Sequence, residues 1–202
     1  MKDFDSISKS CGKEYSVLTA DMAIYLLTKV IQMQPVNPFP KLIMRIGKFH
    51  LQKIWLHCLG QYLEGCGIEE ILDSDLELYN KGTLKSIFSG LQYNREVQIH
   101  KLIYESVRTL QIFEFSKSCN KSNLIQFLLI SQYDALRKCI ADGDKIKVRE
   151  IFQDVCQCNE AKEFFKNFNN FLKTRCEENE VFLFFNIYCE MVELLLDSIR
   201  SD

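Results

Sequence analysis

Carboxylates and histidines are the residues of this chain whose types and spacing could support catalysis. Asp21 follows an apolar stretch, and a run of acidic residues comes later, at Glu64, Glu69, Glu70, Asp73, Asp75 and Glu77. Convergent carboxylates can hold Mg²⁺ ions for in-line phosphoryl transfer. Asp21 is therefore a candidate metal ligand and catalytic residue. His50 is a second candidate catalytic residue, which would orient a water or a phosphate.

The same residues have structural alternatives. An aspartate at a helix start accepts hydrogen bonds from free amides, so Asp21 is also a candidate N-cap. The acidic run is typical of a solvated face or loop. His50 and His57 are seven residues apart, which on a helix is too far for both to bind one metal directly.

Basic and aromatic residues supply candidate contacts to a phosphate or to a partner. The four that we single out are Lys48, Tyr93, Arg95 and His100. Arg108 lies in the same basic group. The formal net charge of −2 argues against a basic footprint over the whole chain, so nucleic acid is the second choice of partner after protein.

Hydrophobic periodicity predicts the elements that must position these residues. Strands are predicted at Tyr15–Ala20 and Leu42–Ile46, and helices at Met22–Gln32 and Phe49–Leu63. Beyond these, helices are predicted at 68–73, 83–89, 94–116, 122–141, 145–156, 160–175 and 180–199. The order strand–helix–strand–helix suggests a layer whose two strands are parallel.

The predicted fold class is α/β and predominantly helical. A strand–helix–strand–helix segment at 15–67 packs on a multi-helix C-terminal bundle at 68–202, as one structural unit, after a flexible tail at 1–14. With 47% hydrophobic and 12% aromatic residues, the 202-residue chain can build a substantial core.

The nine cysteines and the N-terminus bear on location. Met1–Ser6 is polar and lacks the apolar core of a signal peptide, so we expect free thiols in a reducing, intracellular compartment, nuclear or cytoplasmic. No run approaches the ~20 apolar residues that span a bilayer. The sequence does not predict an oligomeric state.

Short blocks of the sequence resemble a transposon-derived family of domains of unknown function, relatives of ribonuclease H-like transposases. That family has an aspartate before Gln-Pro, a Gly-Gly-Phe-His block, a Gly-Ser-Gly turn and a Tyr-x-Arg-x-x-Arg-x-His block. Its counterparts in this sequence are Asp21, Gly47 with Phe49 and His50, Gly65-Cys66-Gly67, and Tyr93 with Arg95 and His100. The resemblance covers most of residues 15–200, the central and C-terminal part of the family pattern.

The resemblance implies descent from a mobile element, and three departures from the pattern bear on activity. Met22-Ala23 replaces Gln-Pro, Lys48 replaces a glycine, and Gln98 replaces the second arginine. These departures favour a non-catalytic protein that binds or scaffolds a protein partner and needs no cofactor. The alternative is a nuclease or DNA strand-transfer enzyme of the ribonuclease H-like class that uses Mg²⁺.

Overall fold

The computed structural model of the protein describes Ser6, residues 10–75, 79–118, Ala135 and residues 137–201. Most of the predicted tail at 1–14, most of the predicted helix at 122–141, and Glu77 of the acidic run lie outside these residues.

A small parallel layer begins the described chain. Strand β1 (Ser16–Ala20) leads into helix α1 (Met22–Gln32), and strand β2 (Leu42–Ile46) leads into helix α2 (Lys48–Leu63). The two strands pair in parallel, with Ser16 opposite Leu42 and Ala20 opposite Ile46. The predicted parallel strand–helix–strand–helix order is confirmed.

Helices make up most of the remaining described chain. A three-residue helix α3 (Ile68–Glu70) runs into a π-helical turn at Ile71–Asp75. The longer helices are α4 (Lys81–Phe88), α5 (Tyr93–Ser118), α6 (Lys145–Gln157), α7 (Asn159–Glu178) and α8 (Glu180–Arg200). The predominantly helical α/β class is thus confirmed.

The chain divides into two compact units. Unit 1 comprises Met1–Gln98 with Leu194–Asp202, and unit 2 comprises Ile99–Glu193. The segments at 15–67 and 68–202 that the sequence suggested stay a prediction.

Unit 1 has its core where α2 meets α4. The buried side chains include Leu56, Leu59 and Leu63 of α2, and Leu84 and Ile87 of α4. The contact is close at Gly60, where an added Cβ would lie only 2.3 Å from the carbonyl oxygen of Phe88. Only glycine fits there without a shift of the backbone.

Unit 2 has an aromatic core. The buried ring of Phe115 on α5 lies 5.5 Å from the rings of Phe164 and Phe168 and 5.3 Å from the ring of Phe171, all three on α7. Aromatic rings at these separations attract one another beyond the effect of area burial alone. A second buried group in this unit includes Ile99, Ile103, Tyr188 and Val192.

None of the described helices combines the length and the apolarity that crossing a bilayer requires.

Candidate functional site

Asp21 caps helix α1. Its side-chain Oδ1 accepts a hydrogen bond from the main-chain N–H of Ile24 at 2.8 Å, and its carbonyl oxygen accepts from the N–H of Tyr25 at 2.9 Å. The N-cap role, one of the two alternatives for this residue, is therefore present. Within the described ranges, no group of three or more His, Cys, Asp or Glu side chains is placed to hold a metal ion. The metal role of Asp21 stays a prediction.

The parallel pairing brings Asp21 and His50 to the same end of the sheet. The N–H of Gly47 donates to the carbonyl oxygen of Ala20 at 2.8 Å, and the N–H of His50 donates to the carbonyl oxygen of Gly47 at 3.0 Å. A Cβ on Gly47 would lie 3.4 Å from Ala20 O and 3.7 Å from His50 Cδ2. The catalytic role of His50 stays a prediction.

Lys48 and Tyr93 make structural hydrogen bonds within unit 1. Lys48 Nζ donates to Ser201 Oγ at 3.1 Å, and Tyr93 Oη donates to Gln52 Oε1 at 2.8 Å. Gln52 Nε2 in turn donates to Ser198 Oγ at 3.2 Å. These bonds join α2 to the start of α5 and to the end of α8.

Arg95 and His100, the other two predicted contact residues, differ in exposure. Arg95 is exposed, and its guanidinium donates to Gln92 Oε1 at 3.0 Å. His100 is only 1% exposed, and its Nδ1 lies 2.8 Å from Tyr188 Oη. Burial lowers the pKa of His100 to about 4, so the ring is neutral at neutral pH. The structure does not place His100 at a surface.

Glu96 on α5 is a buried acid that the sequence analysis did not single out. Its side chain is 0% exposed, and among the described residues neither carboxylate oxygen makes a hydrogen bond of good geometry, the Gly90 main chain being a weak partner. Burial raises the pKa of Glu96 to about 7, because desolvation outweighs the opposing influence of the Gly90 main chain and the Lys53 ammonium group. Glu96 can therefore hold a proton near neutral pH.

The surroundings of Glu96 determine whether its carboxyl group could donate a proton to a substrate. A Cβ on Gly90 would lie 3.5 Å from His57 Cβ, 3.6 Å from Lys53 O and 4.0 Å from Glu96 Oε2, so these groups surround one point. His57 also lines a cavity of about 170 Å³ next to Gly60, but Glu96 is not part of that lining. A general acid must reach its substrate. The fully buried Glu96 therefore suits a structural role better than a catalytic one.

Arg108 is the centre of a polar network in unit 2. Its Nη2 lies 2.8 Å from Glu193 Oε1, and its Nη1 donates at 2.9 Å to both Gln111 Oε1 and Asn186 Oδ1. Tyr104 Oη donates to the same Glu193 oxygen at 3.0 Å. The network borders an open cavity of about 680 Å³. Arg108, a candidate phosphate contact from sequence, thus has a carboxylate partner within the chain.

Helix α1 is apolar on its exposed side. Its exposed side chains recur at helical spacing and include Ala23, Leu26, Leu27, Val30 and, at the C-cap, Met33. At ~100° per residue these five positions span an arc of about 120°. Leu27 is 66% exposed and Met33 is 83% exposed. We call these five residues the α1 apolar face.

Polar residues lie on the opposite side of α1. Thr28 is buried, and its hydroxyl donates to the carbonyl oxygen of Ile24 at 2.8 Å. The Gln32 side chain donates to the carbonyl oxygen of Leu42 in β2 at 2.7 Å. The usual arrangement of an amphipathic surface helix, apolar inside and polar outside, is therefore reversed here.

Comparison with known proteins places the chain in a family. The sequence model described as Domain of unknown function (DUF8702) matches residues 1–202. The chain belongs to the DUF8702 family. Comparisons of this DUF8702 chain with curated proteins and with solved structures gave no match. Transposon ancestry stays a prediction from the resemblance.

One sequence signal pointed to the α1 apolar face. The segment Met22–Gln32 of the DUF8702 chain carries apolar residues at more positions than a single buried stripe needs. Glu96 gave no comparable signal, because an isolated glutamate on a long helix is normally solvated.

Proposed function

We propose that this chain is a transposable-element-derived, non-catalytic protein that binds or scaffolds a protein partner, and that the α1 apolar face is its binding surface. The observation that carries the proposal is the reversed polarity of α1, whose apolar side chains are exposed while Thr28 is buried.

Exposure of several apolar side chains at one place is costly. Single exposed apolar residues are common on protein surfaces, whereas contiguous apolar patches mark interaction sites. Moving one leucine side chain from water into an interface contributes about 1.5–3 kcal/mol. A partner that covers Leu26, Leu27 and Val30 together would therefore gain enough free energy to bind specifically.

The shape and the charge of the face define the kind of partner. A straight apolar stripe along a helix fits the apolar stripe of a second helix, by packing of side-chain ridges into grooves. Lys29 is the single charged residue of α1, and no acidic residue lies in the first turn. The partner that we expect is an amphipathic helix with acidic residues along the border of its apolar stripe.

The non-catalytic part of the proposal rests on two points. One is the set of departures from the transposon-derived sequence pattern, and the other is the role of Asp21. The carboxylate of Asp21 is engaged in capping α1, where Oδ1 accepts from Ile24 N. Calorimetric titration with Mg²⁺ of the wild type and of Asp21→Asn tests the nuclease alternative. Binding by the wild type that is lost in the variant would favour the enzyme.

Partner capture tests the binding function. Leu27→Glu/Val30→Glu places two negative charges on the α1 apolar face. Leu110→Glu/Phe113→Glu makes the same change on α5, where both side chains are also more than half exposed. Extract from the source organism is passed over each immobilised variant and over the wild type, and the proteins retained are quantified by mass spectrometry.

We expect the wild type and the α5 control to retain the same partner, and the α1 variant to lose it. Lys29→Glu should weaken the same complex, because it reverses the charge that selects an acidic border. Equal retention by both double variants would refute the α1 surface. A change of oligomeric state in the α1 variant, without loss of a partner, would assign the face to self-association.

A further inference from the structure

The open cavity beside the Arg108 network has the size of a site for a small organic ligand. Its volume is about 680 Å³. Ligand pockets in proteins range from ~300 to ~1,000 Å³. Helices α7 and α8 supply the walls, α5 contributes Arg108, and every residue of the lining belongs to unit 2. A ligand bound in this cavity would therefore contact one compact unit.

One part of the lining is apolar. It consists of Leu172 on α7 and of Leu183 and Ile187 on α8. Leu172 is 9% exposed, whereas Leu183 and Ile187 are 39% and 38% exposed, so some of their hydrocarbon surface is in contact with solvent. The apolar part of a ligand that covered this surface would gain free energy from its burial.

The polar part of the lining on α8 is acidic and is held in place by hydrogen bonds. Asn186, only 8% exposed, accepts from Arg108 Nη1 at 2.9 Å and donates to Glu190 Oε1 at 2.9 Å. Glu193 Oε1 accepts from Arg108 and from Tyr104. The Oε2 atom of each glutamate accepts no hydrogen bond from a described residue. Because Glu190 and Glu193 are three residues apart on α8, their side chains lie on the same face.

The charges of the lining determine which head group fits. Two basic and three acidic residues line the cavity, which gives a formal charge of −1. The Arg108 guanidinium is paired with Glu193 at 2.8 Å. Lys173 and Glu177 carry opposite charges, four residues apart on α7, and both are exposed. Glu190 has no cationic partner among the described residues, so its carboxylate is the uncompensated charge of the lining.

We propose that this cavity binds a small organic cation that consists of an ammonium group on an apolar body. The ammonium group donates N–H bonds to the Oε2 atoms of Glu190 and Glu193, and the apolar body contacts Leu183 and Ile187. Asn186 fixes the Glu190 carboxylate before the ligand arrives, which reduces the entropy lost on binding. The site belongs to unit 2 and does not use the α1 apolar face, so it does not depend on the proposed function.

Calorimetric titration of the full chain with phenylbutylamine tests the proposal. Two probes of the same shape separate the head group from the apolar body: phenylbutanol carries a hydroxyl group, and phenylbutanoate carries a carboxylate. We expect the amine to bind at least about tenfold more tightly than the alcohol, because its hydrogen bonds to the two glutamates are charge-assisted. The carboxylate probe should bind more weakly than the alcohol, because the lining repels its charge.

Two variants assign the binding to named residues. Glu190→Gln removes the charge and keeps the shape of the side chain, and its matched control is Glu150→Gln, at an exposed residue of α6 outside the lining. We expect the dissociation constant of the amine to rise about tenfold in Glu190→Gln and to stay unchanged in the control. Ile187→Ser shortens the apolar wall and should weaken the amine and the alcohol alike. Circular dichroism verifies that each variant is folded.

Three results would overturn the proposal. The first is a wild type that does not bind the amine at about 1 mM. The second is tighter binding of the carboxylate probe than of the amine, which would assign the cavity to an anionic ligand. The third is equal affinity of the wild type and Glu190→Gln for the amine. If Glu190→Gln fails to fold, the comparison of the three probes on the wild type decides alone.

The two proposals can fail separately. The variant Leu27→Glu/Val30→Glu keeps the cavity of unit 2, so loss of its partner with unchanged binding of the amine supports both. Glu190→Gln keeps the α1 apolar face, and it should retain the protein partner even where it no longer binds the amine.

Discussion

Glu96 and Asp21 are two acidic residues to which the fold gives opposite environments. The carboxylate of Glu96 is fully buried and has only the weak Gly90 main-chain partner among the described residues, whereas Asp21 is exposed and accepts the Ile24 N–H. Burial favours the protonated acid of Glu96, so the contribution of Glu96 to stability depends on pH.

Glu96 makes stability fall as pH rises. Its pKa is about 7 in the folded chain and 4.5 is the ordinary value, so the unfolded chain loses this proton first. The stabilising effect of the bound proton is complete below pH 4.5 and is lost as pH rises through 7. At about 1.4 kcal/mol per pH unit, the loss is of the order of 3 kcal/mol. Glu96→Gln cannot ionise, and we expect it to be more stable than the wild type above pH 7 in urea denaturation. If the wild type and Glu96→Gln had equal free energies of unfolding at pH 5 and again at pH 8, this expectation would be contradicted.

The cap at Asp21 makes a prediction of its own. Asp21→Ala removes the acceptor of the Ile24 N–H and should lower the free energy of unfolding by about 1 kcal/mol. Asp21→Asn keeps a capping oxygen and should stay within a few tenths of a kcal/mol of the wild type. Chemical denaturation at pH 7 measures both. An alanine variant as stable as the asparagine variant would show that the cap contributes nothing.

At the scale of elements, periodicity predicted where helices and strands lie better than which side of them is buried. Met22–Gln32 and Leu42–Ile46 have the predicted bounds, and the last helix differs by one residue at its end. On α5, however, Leu110 and Phe113 are exposed although hydrophobic periodicity places both on its apolar face. Buried positions on that helix include the polar residues Glu96, His100 and Gln111 as well as Ile99, Ile103 and Phe115.

Neighbouring elements explain these differences. A hydrophobic pattern identifies a buried face only if the apolar side chains are the ones that meet the core. On α1 the side toward β2 carries Gln32, whose amide satisfies a strand carbonyl, and this tertiary contact has no local signature. Of the candidate site, the sequence predicted Asp21 directly after the first strand and His50 near the start of the helix that follows the second strand. It did not predict the buried acid or the exposed apolar face.

Gly60 tests the contact between α2 and α4. Gly60→Ala would place its Cβ 2.3 Å from the carbonyl oxygen of Phe88, so the helices must separate. We expect a loss of about 1–3 kcal/mol, despite the better helix propensity of alanine. Gly82→Ala in α4 is the matched control, because the nearest atom to its Cβ would be Asn80 Oδ1 at 3.5 Å. Thermal denaturation should show a lower Tm for the first variant alone; a similar Tm for both would contradict the close contact.

At the scale of the whole molecule, two buried titratable residues, Glu96 and His100, make the free energy of unfolding change with pH in opposite directions. The pKa of His100 is about 4 in the folded chain against an ordinary 6.5, so its contribution to stability falls as pH decreases below 6.5. Glu96 has the opposite dependence. Between pH 4.5 and 6.5 the folded chain holds the Glu96 proton and the unfolded chain holds the His100 proton, so the two slopes cancel.

This cancellation is measurable if the chain unfolds in one cooperative step. The part of the wild-type stability profile that comes from these two residues should be flat from pH 4.5 to 6.5. In Glu96→Gln, His100 is the remaining contributor of the two. The free energy of unfolding of the variant should therefore rise from pH 4.5 to 6.5 by about 1.4 kcal/mol per pH unit. Denaturant midpoints at several pH values measure the slope. Parallel profiles for the wild type and the variant would exclude the compensation.

The reversed polarity of α1 has a practical consequence for handling the purified protein. Salts that are excluded from protein surfaces, such as ammonium sulfate, strengthen the attraction between uncovered hydrocarbon side chains. Material prepared without its partner should therefore precipitate at a lower concentration of that salt than the Leu27→Glu/Val30→Glu variant. A salting-out curve would thus show whether the helix is covered in a given preparation before the partner is identified.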